Sequence, residues 1–150
     1  MNYREKLRVN NMEKYPRVNV DIIVVKGNKI LLGLLAEKWS CHGRQVYGVS
    51  GRDIMFGEEI GEAVKRNIKE EFGCGVKNYE IICVNANRAL GNHYIGIGVV
   101  AQIDGDPKLL LSVDWLKWEW FALNRIPDNL FPAAKNAIDC YLNKKLTVSE

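Results

Sequence analysis

Histidine, paired cysteines, long apolar runs and strong charge of one sign are all scarce in this chain of 150 residues. Its two histidines, and its four cysteines at 41, 74, 83 and 140 with no C-x-x-C spacing, offer neither a zinc ligand set nor a disulfide framework. The cysteines therefore read as free thiols in a reducing compartment. Cys41 and His42 are adjacent, but a thiol nucleophile or zinc site needs further partners that the sequence does not supply. No apolar run reaches the roughly 18 residues of a membrane span, and MNYREKLRVNNMEKYP lacks a signal-peptide core. The expectation is a soluble, cytoplasmic protein with no membrane partner. A formal net charge of +3, from basic residues scattered along the chain, argues against a nucleic-acid polymer as ligand. It is compatible with an anionic small molecule.

What is present suffices for one domain over residues 1–150, since 47% of the residues are hydrophobic and no repeat, low-complexity tract or linker divides the chain. Residues 1–17 carry Arg4, Lys6, Arg8, Lys14 and Arg17 against Glu5 and Glu13, and read as an arm or amphipathic lead helix used for packing or dimer contact. Val18 to Val25 is rich in β-branched residues, Lys26 to Lys29 is a turn signal, and Ile30 to Leu35 continues as a strand. Tyr79 to Asn85, Tyr94 to Ile103 and Lys117 to Ala122 are further strands, with turns at 89–92 and 104–107. Pro132 to Lys144 places Ala134, Ala137, Ile138, Tyr141 and Leu142 at helical spacing. Strands mixed with two well-separated helices give an α/β class with a mixed β-sheet between helices.

The other helix is the centre of interest, in the stretch GEEIGEAVKRNIKEEFG from Gly57 to Gly73. A helix over roughly residues 59 to 72 puts Ile60, Val64, Ile68 and Phe72 in an apolar stripe, and Ala63, Asn67, Glu70 and Glu71 near another face expected to look outward. Glu58 suits the first turn, Glu62 precedes Arg66 by four, and Gly73 suits a left-handed stop. Taken alone, such charges are also what a solvated helix face carries.

The spacing, however, resembles the Nudix box of pyrophosphohydrolases, G-x5-E-x7-R-E-U-x-E-E-x-G-U with U aliphatic: Glu58, Arg66, Ile68, Glu70, Glu71 and Gly73 fill their slots and Cys74 the last apolar one. Two slots depart, because the opening glycine falls on Arg52 with Gly51 one residue early, and Asn67 stands for the glutamate after the arginine. VDIIVVKGNKILLG is similar to the family's first strands, and CHGRQVYGVSGR sits where relatives carry G-x-W-x-x-P-G-G. Leu34 and Leu35 occupy positions where relatives often have a Lys-Arg pair. GNHYIGIGVVAQIDGDPK and the segment from Trp115 to Ile138 are similar to the later strands and last helix of MutT-type members.

The resemblance implies a Nudix-type α/β/α sandwich and an Mg2+-dependent hydrolase, with Mn2+ as an alternative ion, acting on a nucleotide small molecule as a homodimer. Glu70, Glu71 and Asn67 are then metal ligands, Arg66 pairs with Glu58 to brace the loop, and these five form the catalytic set. An amide at 67 carries no charge and accepts no proton at neutral pH. Arg52, His42, His93 and Phe131 are the substrate-binding candidates, with Lys38 and Arg44 as substitute cations and Asp114 or Glu119 as an extra metal ligand. The implied reaction is cleavage of a nucleoside diphosphate-linked compound, first a nucleoside triphosphate to monophosphate and pyrophosphate. Alternatives are a catalytically weakened domain that binds a nucleotide or nucleotide sugar, and a nucleotide-sugar glycosyl hydrolase.

Overall fold

The structure, a computed structural model, describes residues 15–148, so most of the expected N-terminal arm lies outside the described residues and Arg17 opens the first strand. β1 (Arg17–Lys26) and β2 (Lys29–Leu35) form the expected hairpin around Gly27, whose φ of 59° suits glycine. Beyond the hairpin end, pairing of β1 with β2 stops at Val25↔Ile30. β2 turns instead to β3 (Tyr47–Gly48) and β6 (Trp115–Ala122), both antiparallel. β1 runs parallel to β5 (Tyr94–Ile103), which pairs antiparallel with β4 (Val76–Asn87). The sheet is therefore six-stranded and mixed, in the order β3-β2-β1-β5-β4 with β6 beside β2.

Alternation along β1 sends its two faces to two helices. Val20, Ile22 and Val24 pack with Ala63, Val64, Ile68 and Phe72 of α1 (Ile60–Phe72), while Ile23 packs with Ala134, Ala137 and Ile138 of α2 (Pro132–Asn143). The helices thus cover opposite faces, which is the α/β/α sandwich. Ile22, Ile23, Ile68 and Phe72 are fully buried, each contributing about 1.5–3 kcal/mol of transfer free energy.

Where β1 and β2 diverge, residues 50–54 take the vacant edge of β1. Ile22 N–H donates to the Ser50 carbonyl at 2.7 Å, Val20 N–H to Arg52 at 3.1 Å, and Ile54 N–H to Val18 at 2.9 Å. This short antiparallel run sets the position of the loop that leads into α1. The helix starts one residue later than expected, at Ile60, with the Glu59 N–H held by the Glu62 carboxylate at 2.8 Å; Glu58 lies ahead of it. Gly73 ends it at φ 70°.

The tryptophans of β6 are core, as their alternation with Lys117 and Glu119 suggests. Trp115 is buried, and Trp118 meets Phe72 edge-on at a centroid distance of 4.5 Å. They close over Gly33 of β2, where an added Cβ would lie 2.7 Å from Trp115 Cζ3 and 2.8 Å from Trp118 Cζ3. Gly33→Ala is accordingly expected to lower the unfolding free energy in a urea titration by about 1–3 kcal/mol, the usual effect of overpacking. An unchanged midpoint would show that the tryptophans yield freely.

Candidate active site

The face of α1 that carries Asn67 and Glu71 does not look outward. Both are buried, and the helix turns them toward β1 and the loop beside it. The reason is packing: Ala63 and Val64 bring the helix close to β1, so any side chain one turn further along the same face is enclosed. Glu71 Oε1 accepts from the Gly51 N–H at 3.3 Å, and Glu71 Oε2 is buried with no hydrogen-bond partner. Burial pushes the Glu71 carboxyl up to about 7, opposed by Ser50, the Gly51 N–H and Arg52.

Gly51 is a position where the backbone requires a glycine. Its φ is 136°, and an added Cβ would collide with the Val20 carbonyl and lie 2.8 Å from its carbon. An exposed bend at 55–57 follows, where Gly57 takes φ 81°. A clasp fixes this bend: Arg66 Nε donates to Glu58 Oε1 at 2.6 Å and Nη2 to Glu58 Oε2 at 3.0 Å, while Nη2 also reaches the Asp53 carbonyl at 2.9 Å. Glu58 in turn accepts from the Met55 N–H at 2.9 Å. Hydrogen bonding from Arg66 holds the Glu58 carboxyl at about 2, so the clasp stays ionised at any neutral pH.

These elements form one wall of a cleft of about 730 Å3. Glu70, Glu71, Gly51, Arg52 and Arg66 line one end; Trp39, Leu35, Trp115 and Phe131 give it apolar walls, and Asn19, Asp21 and Asn87 line it as well. Of the residues expected from sequence, the cleft therefore gathers Arg52, Arg66, Glu70, Glu71, Phe131 and Asp114, and Glu58 stands behind Arg66.

Asn67, His42 and His93 lie outside the cleft lining. Asn67 does not line the cleft: its amide donates to the Ala63 carbonyl at 2.7 Å, one turn back, leaving Oδ1 buried without a partner, so a side chain shorter than glutamate folds onto its own helix. His42 is exposed at φ 52° in the tight turn where Cys41 and Arg44 exchange backbone hydrogen bonds, outside the cleft. His93 is exposed as well and does not line the cleft, although its neighbours Asn92 and Tyr94 do. Arg44 pairs with Asp128 and Lys38 with Asp114, and Glu119 pairs with Lys117 in β6; none of Lys38, Arg44 and Glu119 lines the cleft.

Whether these residues suit a divalent cation turns on their donors. Hard cations take carboxylate oxygens, and Mg2+ commonly uses one or two of them together with water and substrate phosphate. The partnerless, buried Glu71 Oε2 beside Glu70 meets that requirement. Among the described residues no group of three or more potential ligands clusters, so the remaining positions would fall to solvent and substrate.

The sequence reading missed Asn19, Asp21 and Asn87. The available signal was the alternation Arg17-Val18-Asn19-Val20-Asp21, polar on one face of a strand whose other face is apolar. Burial pushes the Asp21 carboxyl up to about 7, with the Asn19 amide, at 2.8 Å, pulling the other way. The folded value exceeds the unfolded one, so Asp21's contribution is fully present below about pH 4 and is lost as pH rises through about 7. Asp21→Asn should therefore be more stable than the parent at about pH 8, by a penalty on the order of 4 kcal/mol at most, and the gain should shrink toward pH 5 or so. Thermal unfolding across that range checks it; a difference independent of pH would contradict it.

With this geometry in view, likeness to known proteins is informative. No family model matches the chain. It is 32% identical over 123 residues to an ADP-ribose pyrophosphatase of Methanocaldococcus jannaschii, covering 81% of this chain and 70% of that protein. The fold superposes on a MutT Nudix hydrolase from Burkholderia pseudomallei with a TM-score of 0.74 at 26% identity, over 84% of this chain and 98% of that one. A MutT protein from Methanosarcina mazei shares the fold with a TM-score of 0.71 at 20% identity, over 88% and 99% of the two chains. A buried helix glutamate facing a loop glycine, an arginine-glutamate clasp and these likenesses converge on one conclusion: the chain belongs to the Nudix hydrolase family.

Proposed function

We propose that this protein is a divalent-cation-dependent pyrophosphohydrolase, with Mg2+ as the working ion, that cleaves the diphosphate bridge of a nucleoside diphosphate joined to a sugar. The observation that carries this reading is Glu71: a carboxylate buried at the cleft wall with one oxygen partnered by Gly51 and the other partnerless. A bound cation offsets phosphate charge and acidifies water. Glu71 and Glu70 would hold it through their carboxylate oxygens. Arg52 lines the same end and faces the phosphates, while the Arg66 clasp keeps the Gly51 loop in register with the helix. Water adds to one phosphorus, and the bridging oxygen leaves with the other as a sugar phosphate.

Charge favours this substrate over the nucleoside triphosphate expected from the resemblance. Five acids line the cleft (Asp21, Asp53, Glu70, Glu71 and Asp114) against three arginines, of which Arg17 and Arg66 are already engaged by Asp53 and Glu58. Leu35 occupies the wall where a lysine or arginine would greet a terminal phosphate. A diphosphate ester brings less charge into such a cleft than a triphosphate does. The relative's name, ADP-ribose pyrophosphatase, agrees with that choice.

ADP-ribose with Mg2+ is expected to yield AMP and ribose 5-phosphate, at a rate above that for ATP, and Glu71→Gln to reduce turnover by about 100-fold or more. Chromatography of the products decides it: free ribose and ADP would indicate attack at carbon, and turnover that survives Glu71→Gln would remove the carboxylate from the mechanism. Asn67, folded onto its own helix, favours a second reading, a nucleotide-binding domain with little turnover. Binding of ADP-ribose without products would select it.

A further inference from the structure

Another part of the cleft is lined by β1. Arg17, Asn19 and Asp21 alternate along β1 on the face that, from Ile23 onward, carries the apolar contacts with α2. Their neighbours on β5 are permissive: Asn19 pairs with Gly96 and Asp21 with Gly98. A side chain at 96 would collide with Asp21 Oδ2 and crowd Asn19 Oδ1 at 3.4 Å, so Gly96 is what lets the carboxyl lie flat on the sheet. The Asn19 amide then fixes it, donating from Nδ2 to Asp21 Oδ1 at 2.8 Å. Asn19 Oδ1 is left buried with no hydrogen-bond partner, although Asn19 lines the cleft. Asp21 is only 8% exposed and lines the cleft too.

An unfilled acceptor and a nine-tenths buried carboxyl side by side are costly unless something completes them. Asn19 and Asp21 offer an amide and an acid, which suit a neutral polar edge better than a phosphate, and Arg17 beside them is engaged by Asp53. With them in the cleft stand Phe131 and the small Ala133 and Ala134 at the start of α2, a wall that accepts a flat ring. With Asp21 titrating near neutrality, the carboxyl can donate as well as accept.

We propose that Asn19 and Asp21 read the hydrogen-bonding edge of the substrate's nucleobase, with Phe131 as its apolar support. This rests on the hydrolase reading for the orientation of the substrate, with phosphates at Glu71 and base at Asp21. The test is kept separate from turnover by using nucleoside 5′-monophosphates, which have no bridge to cleave. Calorimetric titration of AMP, GMP, CMP and UMP into the parent protein should reveal a preference of about 10-fold or more for one base, the effect of one or two buried hydrogen bonds. Asp21→Ala and Asn19→Ser should each flatten that preference while the weak binding of ribose 5-phosphate stays the same. Asp21→Asn, which keeps the shape, should change the ranking of the bases. No preference in the parent, or loss of ribose 5-phosphate affinity in step with the nucleotides, would overturn the proposal. Base-selective binding in a protein that fails to hydrolyse ADP-ribose would instead leave this assignment standing and sink the hydrolase reading.

Discussion

The meeting of Glu71 with the Gly51 N–H is the constraint on which the rest of the site depends. A carboxylate can be enclosed at a helix-sheet boundary only if backbone or ligand satisfies it. The chain supplies half of that satisfaction by running residues 50–54 along β1, where β2 has peeled away. That run tolerates only a residue without a side chain opposite Val20. Gly51, the divergence of β1 from β2, and the depth of α1 are therefore one feature seen from three sides. The Arg66 clasp then secures the following bend to the same helix, so that the loop and its carboxylates move as a unit.

Much of this was legible in the sequence. Periodicity of two and of 3.6 separated strands from helices, and Gly73 and the turn at Gly27 marked their ends. Fixed spacing from Glu58 to Gly73 was enough to bring Arg66, Glu70 and Glu71 to one place. What could not be read was register in three dimensions. Counting slots put Arg52 on the opening glycine, and spacing alone could not show that the positive φ and the close approach to Val20 fall one residue earlier, at Gly51. Helical spacing put Asn67 beside Glu71 correctly, but the preference of a short amide for the carbonyl one turn back depends on the space around it. Histidines attract attention as ligands, yet His93 is exposed just ahead of β5 and does not line the cleft. Asn19 and Asp21 were overlooked for the opposite reason: polar residues at alternate positions of a buried strand read as solvent-facing, whereas here the cleft takes the place of solvent.

The cleft that results is chemically divided. Its carboxylate end is suited to a cation, and Trp39, Trp115 and Phe131 give it apolar walls. At Asn19 and Asp21 the cleft offers a buried amide oxygen without a partner and a carboxyl. Each end depends on a glycine at which a side chain would displace a carboxyl partner, Gly51 in one case and Gly96 in the other. Both parts of the cleft lie along β1 and its neighbours, held by the same core that sets the sheet between its helices.

The central claim is that Glu71 presents an unfilled oxygen to a divalent cation. Titration of Mn2+ into the protein without nucleotide, followed by electron paramagnetic resonance of the free ion, tests it most directly. The account predicts one site that Mg2+ displaces and that Glu71→Gln loses while keeping its fold by circular dichroism. Equal binding by the parent and Glu71→Gln, or no binding by either, would contradict it.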